Sequence, residues 1–118
     1  MSTHDLSTLK AGDPLPTLTT GPITPLTLAL FAGGSGDHNP IHVDKAFAAS
    51  AGFPDVFAHG MLSMAYLGRA LTDWAGATAV RQFGVRFAAI TPLGATVACD
   101  GIVEQMGVAL CRCRLRVP

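Results

Sequence analysis

Between His59 and Trp74 the apolar and small residues recur at helical spacing, and beyond Ala79 the pattern changes to alternation. Met61, Met64, Ala65, Leu67, Gly68, Leu71 and Trp74 share one side, with Arg69, Thr72 and Asp73 on a polar edge. Three alternating runs follow, over 79–90, 95–105 and 108–117, parted by turn sequences at Thr91-Pro92-Leu93-Gly94 and Met106-Gly107. A long helix followed by an antiparallel sheet predicts an α+β domain in which the sheet wraps the helix. The small residues Ala65, Gly68, Ala70, Ala75 and Gly76 would let a sheet approach closely.

The first half reads as shorter pieces. Lys10 to Thr20 has the Pro, Gly and Thr content of a loop leading into a strand near Leu18. Thr24-Pro25 can start a helix, Thr as cap and Pro in the first turn, and Leu26, Leu28, Ala29, Leu30 and Phe31 supply one or two apolar turns. Gly33, Gly34 and Gly36 are expected to stop it, and Asp44 to cap a second short helix ending at Ser50. A length of 118 residues fits one domain, 1–118.

Composition narrows the class. With 49% hydrophobic and 14% charged residues the chain is not disordered, and a domain this small and apolar is expected to bury surface against another subunit. Eight basic residues balance eight acidic ones, so no net field favours nucleic acid or an anionic membrane. No stretch approaches the roughly 18 apolar residues of a membrane span. The polar N-terminus has no signal-peptide core, and three cysteines, two of them as Cys111-x-Cys113, suit a reducing compartment. These features predict a cytoplasmic protein.

Polar groups concentrate in one place, Ser35-Gly36-Asp37-His38-Asn39-Pro40-Ile41-His42. Asp37 and His42 supply a carboxylate and an imidazole, enough to move a proton on and off a substrate. Pro40 forbids a helix between them, so a tight turn must bridge them, with Asn39 holding it by side-chain to backbone bonds. A plainer reading makes the segment an ordinary turn, with Asp37 as a cap and His42 on the surface. The residues alone leave both open.

Gly36-Asp37-His38-Asn39-Pro40-Ile41-His42, followed by Ala58-His59-Gly60-Met61, resembles the hydratase-2 signature of the MaoC-like (R)-specific enoyl hydratase and dehydratase family. Phe31 stands for the family's aromatic residue, and Val85-Arg86-Phe87 resembles its strand after the long helix. The resemblance covers roughly residues 10–117 and implies a hot-dog fold, a long central helix wrapped by an antiparallel sheet. It implies reversible syn addition of water to a trans-2-enoyl thioester, giving an (R)-3-hydroxyacyl thioester, with Asp37 and His42 as the catalytic pair. Gly60 matches the position that offers a backbone N–H to the thioester oxygen. Asn39 orients the loop, and Ser63, one turn along the helix, either touches substrate or bonds within the core. The resemblance implies no cofactor beyond coenzyme A or acyl carrier protein as the substrate's handle.

The same residues admit other readings. For His59 a role within the helix start is preferred to a catalytic one, and Met61 and Met64 are read as core before acyl pocket. A metal site from Asp37, His38, His42 and His59 is disfavoured because Pro40 breaks the helix that His38 and His42 would need, and the Gly33–Gly36 cluster lacks the Lys-Ser/Thr of a phosphate loop. A hot-dog thioesterase and a non-catalytic partner subunit of a heterodimeric dehydratase are the alternatives. The family pattern implies a last strand beyond 108–117, and here the expectation is that an N-terminal or partner strand completes the sheet or that the sequence is cut short, with a dimer, homodimeric or heterodimeric, expected. Arg112, Arg114 and Arg116 fall on one face of that run and are candidates for coenzyme A phosphates, an ordinary solvated face being the plainer assignment.

Overall fold

The computed structural model describes residues 6–107 and the backbone of strand 111–116. Strands β1 (Leu18–Pro22), β2 (Thr96–Met106) and β3 (Cys111–Arg116) form one sheet in the order β1-β2-β3. Helices α1 (Pro25–Ser35), α2 (Lys45–Ser50) and α3 (Gly60–Ala75) lie between β1 and β2 in sequence, with single 3-10 turns at Leu6–Thr8, Pro40–His42 and Ala77–Ala79. The residues fall into two compact units.

One unit comprises Thr20–Ser63 and Arg86–Val97. Thr24 caps α1 as expected: its hydroxyl accepts the Thr27 N–H at 3.1 Å while the Thr27 hydroxyl accepts the Thr24 N–H at 3.2 Å, and Pro25 opens the first turn. The expected stop at Gly33 is not observed. Glycine in a helix costs about 1 kcal/mol against alanine but keeps its hydrogen bond, so α1 runs through Gly33 and Gly34. It ends where Gly36 adopts φ +78° and returns its N–H to the Ala32 carbonyl at 3.1 Å. Asp44 caps α2 through the Phe47 N–H at 3.2 Å. The Thr91–Gly94 turn is present: Gly94, at φ +85°, donates to Ile23, and Ile23 donates to Ala95. Ile23, Leu28, Ala48, Leu62 and Val97 are buried in this unit.

The other unit comprises Met1–Thr19, Met64–Val85 and Ala98–Pro118. Its core is Leu15, Trp74 and Val103, with Leu6, Leu9, Leu71, Ala75 and Met106 packed against them. The chain before β1 runs beside β2, Gly12 N–H to Val103 at 2.7 Å and Leu15 N–H to Gly101 at 2.9 Å. β2 and β3 pair antiparallel from Asp100↔Arg116 to Met106↔Cys111, with an irregularity between Val103 and Gln105. The Phe83 ring lies 3.4 Å from where a Cβ on Gly68 would stand, the close approach that a small helix residue permits.

Two further expectations are corrected. The run 79–90 forms no strand; a 3-10 turn occupies Ala77–Ala79, and the residues beyond it join no ladder. Alternation specifies a face, whereas a strand also needs a neighbouring backbone to bond, and the described chain brings none alongside this run. Met61, read as core, is 53% exposed, whereas the next residue of α3, Leu62, is the one that is buried. The side chains of Cys111, Arg112, Cys113, Arg114 and Arg116 lie outside the described residues.

Candidate active site

The Ser35–His42 loop is built from its own short polar side chains. The Ser35 hydroxyl accepts the Asp37 N–H at 3.2 Å, Asp37 Oδ1 the Asn39 N–H at 3.2 Å, and Asn39 Oδ1 the Ile41 N–H at 3.1 Å. Each bond spans two residues, so the loop is a succession of side-chain-closed turns feeding the 3-10 turn that Pro40 opens. Asn39 therefore does hold the turn, and Pro40 blocks the helix, as their chemistry predicts. The plainer reading fails at His42, which is buried.

The His42 imidazole is oriented from the segment before α3. Its Nδ1 lies 2.8 Å from the Phe57 carbonyl oxygen, which can only accept, so Nδ1 carries the hydrogen. Nε2 is left as the nitrogen that can take a proton. The Phe57 ring meets the imidazole edge-on at 5.1 Å. Asp37 is exposed, and its carboxylate is held toward the loop by the Asn39 N–H.

His59 belongs to the same cluster, beyond the local role at the helix start expected of it. It is 1% exposed, stacks on His42 with ring centroids 3.9 Å apart and planes at 28°, and touches the Phe31 ring at 4.9 Å. Its Nε2 donates to the Asp37 backbone oxygen at 3.2 Å, and its buried Nδ1 has no hydrogen-bond partner among the described residues. Burial, and then the neighbouring His42, push the proton affinity of His59 below the ordinary histidine range, against the opposing pull of Asp37. The signal that could have found it is its place immediately before Gly60 in a second motif, at the head of the long helix.

Gly60 opens α3 and is exposed. A Cβ there would stand 3.0 and 3.1 Å from two atoms of the Phe87 ring, so glycine is what lets the ring lie over this position. Ser63 is half-buried, its hydroxyl 3.3 Å from that of Thr91 rather than on a backbone carbonyl. His38 is exposed and is not part of the cluster that Asp37, His42 and His59 form.

One functional atom from each of Asp37, His42 and His59 lies within 4.8 Å of the others. A divalent ion would need their lone pairs to converge at about 2.0–2.2 Å. Imidazole lone pairs lie in the ring plane, so one ion bound by both histidines must lie in both planes, and two rings stacked 3.9 Å apart at 28° keep those planes from meeting at bonding distance. The same spacing suits a carboxylate and an imidazole bridged by one water.

The family model for the MaoC like domain matches residues 8–110. The chain belongs to the MaoC-like domain family. Its fold is the hot-dog fold, α+β with a central helix and an antiparallel sheet, as the motifs implied. The enoyl-CoA hydratase ChsH3 of Mycobacterium tuberculosis is 42% identical over 65 residues, covering 52% of this chain and 23% of that protein. The 3-hydroxyacyl-thioester dehydratase Z of the same organism is 37% identical over 94 residues, 72% of this chain and 62% of its relative. Among solved structures, the R-hydratase PhaJ1 of Pseudomonas aeruginosa superposes with a TM-score of 0.80 at 33% identity, covering 92% of this chain and 71% of that one. The MaoC-like chain thus spans under two thirds of the length of these two curated relatives.

Proposed function

We propose that this MaoC-like chain is a hydro-lyase that reversibly adds water to trans-2-enoyl thioesters, giving (R)-3-hydroxyacyl thioesters in fatty-acid or related acyl metabolism. The observation that carries the reading is the placement of a carboxylate and a pinned imidazole within one water's reach of each other. In hydration the water oxygen bonds to C3, its proton passes to one member of the pair, and the other delivers a proton to C2. Dehydration reverses each step. Negative charge gathers on the thioester oxygen meanwhile, and the Gly60 N–H, at the positive end of α3, is the group that meets it. Asn39 holds the loop, and Ser63, beside Thr91, borders the substrate position.

The substrate carrier is coenzyme A or acyl carrier protein, and the chain itself needs no cofactor for these steps. No helix among the described residues is long and apolar enough to cross a membrane, and the proposed location is the cytoplasm. Leu26, Leu30, Phe87 and Ile90 are large apolar side chains left exposed, which supports a homodimer. Sedimentation at micromolar concentration tests this, with an active monomer or a requirement for a different chain as the contrary results.

The deciding experiment follows the enoyl absorbance of crotonyl-CoA and longer enoyl thioesters, with chiral analysis of the product. Loss of absorbance with (R)-product supports the proposal. Release of free thiol would make the chain a thioesterase, and inertness with every chain length and carrier a partner subunit.

A further inference from the structure

His59 has no assigned part in the proton transfers, yet it touches both groups that have one. Its Nε2–H is bonded to the backbone oxygen of Asp37, and its ring face covers His42. These contacts come from the residue that immediately precedes α3, so they tie the Ser35–His42 loop to the long helix.

We propose that His59 is a positioning residue for the Asp37–His42 pair, fixing the loop through the Asp37 carbonyl and the imidazole of His42 through its ring face. The proposal rests on reading Asp37 and His42 as the acid–base pair. The bond to the Asp37 carbonyl is open to either form of the ring, but the burial and the stack on His42 favour the uncharged one. A protonated His59 would carry a second N–H at Nδ1, buried and without an acceptor among the described residues, and would set a like charge against His42 whenever that ring is protonated. The charged groups that act on it are His42 and Asp37, both from the loop; Phe31, which faces it from α1, does not titrate. Desolvation and His42 favour the neutral form more than Asp37 opposes it. A neutral His59 with its hydrogen on Nε2 donates to the loop and leaves the proton transfers to Asp37 and His42.

The contacts separate by substitution. His59→Phe keeps an aromatic face and loses the donor, and His59→Gln places an amide N–H near the Nε2 position and loses the ring. The expected result with crotonyl-CoA is a fall in kcat of roughly tenfold or more for His59→Phe with KM within about twofold, and partial recovery in His59→Gln. Backbone amide order parameters of Asn39 and Ile41 should fall in His59→Phe and return toward wild type in His59→Gln. In the unsubstituted protein, nitrogen-15 histidine spectra should show His59 with its hydrogen on Nε2, and still neutral at pH values where an ordinary histidine is protonated.

Wild-type kcat and loop order in folded His59→Phe would overturn the proposal, leaving His59 as packing alone. So would a hydrogen on Nδ1 of His59, or an ordinary titration. If the wild-type protein consumes no enoyl thioester, the functional reading fails while the tautomer and the loop order still decide whether His59 fixes the pair. A variant that does not fold leaves the tautomer measurement, made on the wild type, to decide it.

Discussion

Replacing Gly60 by alanine separates what the position does for folding from what it does for chemistry. The new Cβ would stand 3.0 and 3.1 Å from Cδ1 and Cε1 of Phe87, where carbon atoms prefer about 3.5–4.0 Å, so the ring must retreat by roughly half an ångström or more. Phe87 is 59% exposed, so it has room to do so at a rotamer cost of about 0.5–1.5 kcal/mol. Against this, removing a glycine from the first turn of a helix recovers up to about 1 kcal/mol. The two nearly cancel, and stability should change by no more than about 1 kcal/mol, a Tm shift within about 4–8 °C. Activity should not be spared. The Cβ intrudes where the thioester carbonyl approaches the N–H, and a misplacement of about 1 Å costs on the order of a hundredfold in kcat. The assay is kcat with crotonyl-CoA alongside a calorimetric melt. Repeating it in a Phe87→Leu background removes the aromatic ring, so the stability effect should move toward net gain while the loss of activity remains. A Gly60→Ala enzyme of wild-type rate would refute the placement of the thioester at Gly60. Recovery of rate in the double variant would show that the displaced ring, not the Cβ, caused the loss.

Asp37→Asn and His42→Ala should each lower kcat by about a hundredfold or more, since each removes a proton-transfer group, with His42→Ala also lowering the melting temperature because it empties a buried, bonded position, and Asn39→Ala should be milder, acting only on the loop; steady-state rates check all three. Burial depresses the proton affinity of folded His59, so the unfolded chain binds more protons as pH falls below about 6.5, and stability falls with it until folded His59 itself protonates. Melting temperatures at descending pH should show that loss, and His59→Phe should abolish it. Leu28→Ala, at a fully buried site, should cost about 2–5 kcal/mol in urea unfolding. Asp44→Ala, removing the α2 cap, should cost about 1 kcal/mol in the same assay.

Local chemistry made much of this molecule legible. Thr24-Pro25 and Asp44 announce helix starts because capping needs only the residue and the next turn, and both caps are present. The long apolar repeat placed α3 within one residue at each end. Ser35, Asp37 and Asn39 close the loop by bonds spanning two residues and Pro40 keeps it from a longer helix, local effects that spacing can reveal. What spacing could not reveal depends on distant neighbours. The alternation over 79–90 described a face without supplying the backbone that would make it a strand. His59 joined the site because the fold stacks it on a residue seventeen positions earlier and bonds it to one earlier still, a meeting that no local pattern encodes.

The irregularity between β2 and β3 has a consequence for length variation in this part of the chain. From Asp100 to Val103 each β2 residue faces its β3 partner in one register, and at Gln105 and Met106 the register has moved by one. One residue of β2 is therefore surplus to the ladder, at 104 or 105. Deleting a residue there would leave the remaining pairs in a single uninterrupted register, with buried Val103 on its present face. Deleting one between Asp100 and Val103 would force a slip that exchanges the two faces of the strand and turns core residues to solvent. Of all places along these paired strands, this is where the chain can be shortened by one residue and keep its pairing.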